Sequence, residues 1–287
     1  MTFIFGTFLL ALVTAVACAL PGVFVVLRKS SMLVDGISHA VFPGIVIGYL
    51  LTHDLRSPWL LLGAALAGLL VVAGAEWLTT TGLFSGDAPQ GLVFPALFAL
   101  GIILVSSHLS NIHLDTHTVL VGDLNLASFD RLIVGGTDIG PSYLYIMLGV
   151  AALNTLFLTA VFPQLSAATF DPEHARVSGV PVRALGLAFM FLVSVTITAA
   201  FHAAGALLVI ALVVAPAATA HLFANRLSAL IAWTIIIALL GAGAGFWVAF
   251  ATDTATSAAM AVFYGLLFTM TALVVNRYKP SSSRCTS

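Results

Sequence analysis

Charged residues are scarce in this sequence. Only 7% of its 287 residues are Asp, Glu, Lys or Arg, whereas 61% are hydrophobic, and the mean hydropathy is +1.13. A soluble domain carries about a quarter charged residues because its surface faces water. This shortage argues against a soluble enzyme and places the chain in a lipid bilayer.

Cysteine and several functional motifs are also missing or nearly so. The two cysteines, Cys18 and Cys285, form no spaced framework, so the sequence predicts neither a disulfide scaffold nor a thiolate metal site. A net charge of −1 offers no basic surface for nucleic acid. Neither the pattern G-x-x-x-x-G-K-S/T nor the pattern H-E-x-x-H occurs, which argues against a P-loop nucleotide site and an intramembrane zinc protease.

Long apolar runs make up most of the chain. A helix needs about 20 apolar residues to cross the hydrocarbon core of a bilayer. Nine such runs occur. If the two runs on either side of His202 instead form one span with a re-entrant turn, the chain has eight spans. Residues 1–279 are predicted to form a single transmembrane domain, followed by a polar cytoplasmic tail at 280–287. The fold is predicted to be an all-α, polytopic membrane helical bundle, with nine runs at 3–27, 32–52, 58–80, 89–109, 142–164, 184–201, 203–222, 228–250 and 257–275.

The basic residues predict the orientation of this bundle. Lys and Arg stay on the cytoplasmic side of a membrane protein. With nine spans and the N-terminus outside, only Arg56 and Arg131 fall in outer segments. The N-terminus is therefore predicted outside and the C-terminus inside, because the cytoplasmic segments then hold Arg28, Lys29, Arg176, Arg183, Arg226, Arg277, Lys279 and Arg284.

Two acidic residues, Asp35 and Glu76, lie within predicted spans. An ionisable group in a bilayer is costly and usually faces a pathway. Glu76 lies beside Trp77 near the end of its span, where an acid at the headgroup boundary is common. We therefore assign Glu76 to the boundary, and Asp35 becomes the main candidate for function.

Asp35 and His39 are four residues apart, so on a helix they lie on one face, one turn apart. A carboxylate and an imidazole at this spacing can bind one divalent cation, such as manganese, zinc or ferrous iron. The pair is also compatible with a structural hydrogen bond or with a polar helix start near the headgroups. The spacing alone leaves these alternatives open.

The outer segment 111–117 contains a second possible metal ligand set. His113, Asp115 and His117 occupy alternate positions, which share one face of an extended strand. They are candidates for transient metal capture outside the membrane. The alternative is an ordinary polar loop with solvated histidines.

The cytoplasmic segment 170–185 carries signals for a short helix. Asp171, Pro172 and Glu173 are typical of a helix start, with an N-cap, a proline in the first position and an acid on the helix dipole. Gly179 and Pro181 predict its end after about two turns. We interpret this helix as a rigid docking element, against the alternative of a simple connecting loop.

Four segments together resemble the membrane subunits of the manganese/zinc/iron family of ATP-binding-cassette importers. The resemblance runs in order over about residues 20 to 230, and the segment 250–265 follows the family pattern only loosely. The four segments are LRKSSMLVDGISHAVFPGIVIGYL (27–50), VLVGDLNLASFDRL (119–132), FDPEHARVSGVPV (170–182) and AAGALLVIALVVAPAATAHLFA (203–224).

The resemblance implies a transport subunit and not an enzyme. It implies a bundle like that of cobalamin and ferric-siderophore importers, in the cell membrane of a prokaryote, with two permease copies around a central pathway. Asp35 and His39 match the pathway residues of the family, and 171–179 matches its coupling helix, which includes Asp171, Glu173, Arg176 and Gly179.

The same resemblance implies partners. A cytoplasmic ATPase subunit would hydrolyse ATP, and an extracellular or periplasmic metal-binding protein would deliver the ion. No cofactor is expected to stay bound, since the divalent metal is the cargo. Two copies meeting near Asp35 would supply two carboxylates and two imidazoles. The alternatives are a permease for a metal chelate or small organic cofactor, which Asp35 and His39 argue against, and an intramembrane hydrolase.

Overall fold

The computed structural model describes residues 3–53, 58–84, 86–108, 124–134 and 137–278. Within these ranges the chain forms ten helices and one β-hairpin. In chain order the elements are α1 (Phe3–Leu27), α2 (Ser31–Thr52), α3 (Pro58–Thr80), α4 (Ala88–His108), α5 (Leu124–Ala127), β1 (Arg131–Val134), β2 (Thr137–Pro141), α6 (Ser142–Phe170), α7 (Pro172–Val177), α8 (Val182–His221), α9 (Leu227–Thr252) and α10 (Thr256–Tyr278).

Eight of the described helices, all except α5 and α7, are long and apolar enough to cross a membrane. The predicted helical membrane bundle is therefore confirmed. The runs predicted at 184–201 and 203–222 lie in the one 40-residue element α8, but non-helical backbone at Gly205 divides α8 into two helical arms, one for each run. The short antiparallel pair β1–β2 was not predicted, and the tail at 280–287 lies outside the described residues.

Helix α8 folds back on itself at Gly205. This glycine has φ 77° and ψ 164°, a backbone conformation that L-residues rarely adopt. Before the break, the Phe189 ring lies 6.1 Å from that of Phe24 on α1, and after it a Cβ added to Gly22 of α1 would collide with the carbonyl oxygen of Val213. A straight helix would separate Phe189 from Val213 by about 36 Å. Phe189 and Val213 instead contact residues only two positions apart on α1. Helix α8 must therefore begin and end at the same end of the bundle.

The bundle thus has two ends. We call the end that holds β1–β2 the hairpin face, where Pro141 packs on Gly6 near the start of α1. The opposite end, which holds α7 and both ends of α8, is the α7 face. The seven other long helices each run from one face to the other, so the described chain starts on the hairpin face and ends on the α7 face. Eight helices that each crossed the bundle once would leave both ends of the described chain on one face. Because α8 folds back, these ends lie on opposite faces, as they would after nine crossings.

Close helix packing builds the core. A Cβ at Gly44 of α2 would lie 2.5 Å from the Cα of Ala64 on α3, so these two backbones touch. Small residues allow such an approach where lipid gives no hydrophobic drive for helix association. The buried Asn154 of α6 adds a polar link, since its amide donates to the Ala17 carbonyl of α1 at 2.9 Å and to the Thr196 hydroxyl of α8 at 3.0 Å. Three helices are therefore tied together at mid-bundle.

Exposed tryptophans mark the two ends of α3. Trp59 is 63% exposed near the hairpin face and Trp77 is 66% exposed near the α7 face. Their spacing along the helix corresponds to about 27 Å, close to the thickness of a hydrocarbon core of about 30 Å. Tryptophan is enriched at both membrane boundaries. Gly36, next to Asp35, packs on Val71, which lies between the two tryptophans on α3, so Asp35 lies between their levels and within the apolar layer that they delimit.

Candidate functional site

Helix α2 brings Asp35 and His39 together. The i,i+4 spacing places His39 Nε2 3.5 Å from Asp35 Oδ1. The side chains are 34% and 31% exposed for Asp35 and His39, so both retain open faces. The predicted pairing on one helix face is therefore present, and neither group is sealed in the core.

Two phenylalanines of α4 hold the imidazole of His39. Its ring stacks on Phe94 with centroids 5.7 Å apart and planes at 17°, and it meets Phe98 edge-on at 5.6 Å and 76°. Aromatic rings fix the orientation of the imidazole but offer no strong hydrogen-bond acceptor. The nitrogen atoms of His39 are therefore not consumed by these contacts. Sequence reasoning missed both phenylalanines, since nothing local links them to His39.

Neighbouring polar and small residues of α2 serve the packing. The buried Ser38 hydroxyl donates to the Val34 carbonyl at 2.8 Å, within its own helix. A Cβ at Gly36 would lie 3.3 Å from a methyl carbon of Val71 and 3.4 Å from Phe94. Ser38 and Gly36 face the interior, so Asp35 and His39 are the polar groups that α2 presents on its open side in this part of the helix.

Asp35 and His39 by themselves do not form a complete metal site. Within the described ranges, no group of three or more His, Cys, Asp or Glu side chains is placed to hold a metal ion. Structural zinc sites use four ligands, and harder divalent ions use six or more. The Asp35–His39 pair could hold an ion transiently, or permanently only with further ligands. The predicted outer ligands His113, Asp115 and His117 lie outside the described residues.

The α7 face carries the predicted short helix. The Asp171 carboxylate accepts the backbone N–H of His174 at 2.9 Å, which caps the first turn of α7. Glu173 pairs with Arg176 at 2.9 Å across one turn, and Gly179, with φ 82°, lies just past the helix end. Residues 170–179 therefore form a short capped helix with its flanking residues, which we call the α7 knob, between α6 and α8.

This knob exposes apolar side chains that sequence reasoning missed. Ala175 is buried against the bundle, whereas Val177 is 88% exposed and Phe170, at the end of α6, is 65% exposed. Apolar side chains projecting from the end of a bundle are candidate contact points for another protein. Their exposure could not be deduced from a segment of only six helical residues.

Glu76 lies four residues before the end of α3. Its carboxylate is 3.3 Å from the Arg183 guanidinium, at the α7 face where α3 ends and α8 begins. The Glu76 side chain is 38% exposed and that of Arg183 is 78% exposed. An exposed ion pair of this kind contributes little to stability and explains why the acid is tolerated near the end of a span.

The chain matches known proteins over almost its whole length. A model of the ABC 3 transport family matches residues 1–275. The manganese transport system membrane protein MntD of Bacillus subtilis (strain 168) is 36% identical over 253 residues, covering 88% of this chain and 85% of MntD. The zinc transport system membrane protein TroD of Treponema pallidum (strain Nichols) is 41% identical over 262 residues, covering 91% of this chain and 71% of TroD.

A solved structure shows the same architecture. A chain of PsaBC from Streptococcus pneumoniae in complex with Fab superposes with a TM-score of 0.78 at 25% identity, covering 97% of this chain and 94% of that chain. The match includes the span-rich regions from which the family resemblance was drawn, so that resemblance is confirmed. The long apolar helices, the folded-back α8 and the match over residues 1–275 lead to one conclusion: the chain belongs to the ABC 3 transport family, as a multi-pass membrane permease and not an enzyme.

Proposed function

We propose that this permease imports a divalent transition metal, which is manganese, zinc or ferrous iron, and that Asp35 and His39 are its transient ligands. The pair carries the proposal, since a carboxylate and an imidazole 3.5 Å apart keep open faces inside an apolar layer. Such groups are expensive in a membrane and mark ion pathways. Relatives named for manganese and zinc transport support the same class of cargo.

A second permease copy would complete the site. Two copies related by a two-fold axis near α2 would bring together two carboxylates and two imidazoles from Asp35 and His39 alone. This set replaces part of the hydration shell of a divalent ion without forming a closed cage. A pathway site must release its ion, so incomplete coordination suits transport better than a structural site. The metal is thus cargo, and no resident cofactor is proposed.

The charge distribution supports a cytoplasmic α7 face. Of the seven basic residues in the described ranges, only Arg131 lies on the hairpin face, where it pairs with Asp138 at 2.7 Å. Basic residues mark the cytoplasmic side. The N-terminus is therefore proposed outside and the C-terminus inside, since the α7 face holds Arg28, Lys29, Arg176, Arg183, Arg226 and Arg277.

Permeases of this family act with an ATPase and a substrate-binding partner. We place the ATPase on the α7 knob, where Val177 and Phe170 offer apolar contacts and the exposed Glu173–Arg176 pair offers charged ones. The metal-binding protein would meet the hairpin face. Closure of the ATPase would then move α7, and alternating access would pass the ion along the Asp35–His39 level to the cytoplasm.

Metal uptake by reconstituted transporter tests the pathway role. The permease and its ATPase are placed in proteoliposomes with the binding protein, and uptake of radiolabelled manganese and zinc is measured. We expect Asp35→Ala and His39→Ala to reduce uptake at least about tenfold, which corresponds to about 1.4 kcal/mol in the transport barrier.

Glu76→Gln is the matched control, because Glu76 is the other acid within a predicted span but pairs with Arg183 at the boundary. Its uptake should stay close to that of the unmodified permease. Unchanged uptake in both Asp35→Ala and His39→Ala would overturn the pathway role. Equal losses of uptake in Glu76→Gln and Asp35→Ala would show that removing any acid from the spans is enough to reduce uptake. That result would also contradict the pathway role.

Co-purification of the ATPase tests the docking role of α7. Replacing both Val177 and Phe170 with Ser should weaken ATPase association, because it removes the exposed apolar contacts while leaving the Asp171 cap intact. The control replaces Val274, which is 53% exposed on α10, with Ser. Undiminished association after the double replacement would contradict docking at this knob.

A further inference from the structure

The side chain of Arg28 turns into the bundle and joins three elements. Arg28 follows α1, and its Nε donates to the Thr169 hydroxyl at the end of α6, 3.1 Å away. Its guanidinium carbon lies 5.2 Å from the centre of the Phe189 ring near the start of α8. The α1–α2 turn, the end of α6 and the start of α8 therefore share one cationic contact.

Topology alone does not require this arrangement. An exposed arginine would mark the cytoplasmic side equally well, as Arg226 does at the start of α9. Burial lowers the pKa of the Arg28 guanidinium below its usual value. Among the described residues no carboxylate lies within ion-pair distance of it, so its recorded partners are a hydroxyl and an aromatic face. Holding a cation in this way costs desolvation free energy, which the contact with the Phe189 ring partly offsets.

The contact connects α7 to α2 over a very short length of chain. Thr169 is two residues before Asp171, the cap of α7. On the other side, Arg28 is three residues before Ser31, where α2 begins, and Asp35 follows one turn later. One side-chain contact therefore bridges the segment just before α7 and the segment just before α2.

Backbone hydrogen bonds hold the α1–α2 turn in place. The Arg28 N–H bonds the Phe24 carbonyl, the Lys29 N–H bonds the Val26 carbonyl and the Ser30 N–H bonds the Val25 carbonyl, each at 3.0 Å. Lys29 adopts the left-handed conformation with φ 56°, which closes the turn after α1. These bonds fix the turn to the last residues of α1, and the Leu33 N–H bonds the Ser30 carbonyl at 3.0 Å, so a short hydrogen-bonded turn joins Arg28 to the start of α2.

We propose that Arg28 is a positioning residue that transmits the movement of α7 to the Asp35–His39 pair on α2, through its contact with Thr169. The inference rests on the proposed function, since it needs α7 to receive the ATPase and α2 to hold the ion. It adds the physical link between them, which neither the family match nor the ligand pair supplies. Coupling here means that an event at one site changes the free energy of binding at the other. It acts through a structural element whose conformational equilibrium depends on both sites.

The number of metal ions imported per ATP hydrolysed tests this link. It is measured for the complete transporter in proteoliposomes with Arg28→Gln and with Thr169→Val. We expect each to lower the ratio at least about fivefold, the lower range of typical coupling between sites, while ATP hydrolysis continues. A merely structural defect would reduce the amount of active transporter and would lower uptake and hydrolysis together, leaving the ratio unchanged.

Two controls match the changes in chemistry. Arg226→Gln removes an exposed cation from the same face, and Thr159→Val removes an exposed α6 hydroxyl whose bonds stay within its own helix. Both should keep the ratio of the unmodified permease. Arg28→Lys should restore it only in part, because an ammonium keeps the charge but loses the planar contact with Phe189.

The double variant Arg28→Gln/Thr169→Val decides whether the two residues act through one contact. We expect its loss to equal that of either single variant, since the contact is already broken. Additive losses, or an unchanged ratio in Thr169→Val, would overturn the inference, and Thr169→Val serves this purpose even if Arg28→Gln does not fold. An unmodified transporter that imports no divalent metal would instead overturn the proposed function itself.

Discussion

Two antiparallel helix pairs in this permease, α2–α3 and α9–α10, both pack closely at glycines but have different roles. In the α2–α3 pair, Gly44 lies against the backbone of Ala64. In the α9–α10 pair, Gly241 lies against the ring of Tyr264 and Gly245 against Met260. Both pairs are held by close approach at glycines, so glycine packing by itself does not distinguish a pathway helix from a structural one.

The pairs differ in what their polar groups do. Tyr264 is fully buried, and its hydroxyl donates to the Ala238 carbonyl, so its one strong donor is used inside the pair. Asp35 and His39 are each about one-third exposed, and among the described residues each has the other as its polar partner, at 3.5 Å. A polar group with unused capacity inside an apolar layer costs free energy that packing does not return. The functional region of the bundle is therefore marked by polar groups that still have hydrogen-bonding or ligand-binding capacity, and not by polar groups in general.

The largest effect is expected where two backbones touch. In Gly44→Ala the new Cβ would lie 2.5 Å from the Ala64 Cα and 2.5 Å from the Gly63 carbonyl oxygen, so α2 and α3 must separate. We expect a loss of at least about 3 kcal/mol in the free energy of unfolding, measured by titrating the solubilised permease with denaturing detergent. The control is Gly91→Ala on α4, whose Cβ would meet nothing within 4 Å. Equal stability of the two variants would show that the helices are not in close contact at Gly44.

The next effect concerns the ligand pair. If Asp35 binds the cargo in the folded permease, a divalent metal at about a hundred times its dissociation constant should stabilise the protein by about 2.7 kcal/mol. Asp35→Asn should abolish this metal-dependent gain without lowering the metal-free stability, since it removes a charge from the apolar layer. Thermal unfolding with and without manganese or zinc measures both quantities. A full metal-dependent gain in Asp35→Asn would remove the distinction between the two pairs.

The third effect is a smaller packing change in the structural pair. In Gly241→Ala the new methyl group would overlap the ring of Tyr264, a side chain that can shift, and not a backbone. We therefore expect a loss of about 1–2 kcal/mol in the free energy of unfolding, less than for Gly44→Ala. Metal uptake per folded permease should be unchanged. A loss larger than that of Gly44→Ala would reverse the order in which we rank the two pairs.

Local sequence signals predicted much of the fold and part of the site. Apolar runs gave the long helices, the spacing of Asp35 and His39 gave their shared face, and Asp171 with Gly179 gave the limits of the short helix. Each of these depends on interactions within a few residues of the same segment. Their physical cause is therefore contained in the pattern itself.

The remaining features depend on distant residues. Gly205 looks like any other small residue in an apolar run, and only the contacts of Phe189 and Val213 with the same part of α1 show that α8 turns back there. Arg28 counted only as a topological charge, because its partner Thr169 is 141 residues away in the chain. The role of Phe94 beside His39 is likewise a product of helix packing. One sequence holds no signal for such pairings.

The smallest effect completes the comparison. Tyr264→Phe removes one hydroxyl from the α9–α10 pair and leaves the ring packing on Gly241 in place. Hydrogen bonds between membrane helices average about 0.6 kcal/mol, because the separated helices also find polar partners, so we expect a loss of that size in the free energy of unfolding. The metal-dependent gain in stability and the uptake per folded permease should both persist, in contrast to Asp35→Asn. Loss of uptake without loss of stability in Tyr264→Phe would mean that this buried hydroxyl also serves transport. In that case a polar group whose hydrogen bonds are all satisfied inside a helix pair could no longer be assigned a purely structural role on that ground.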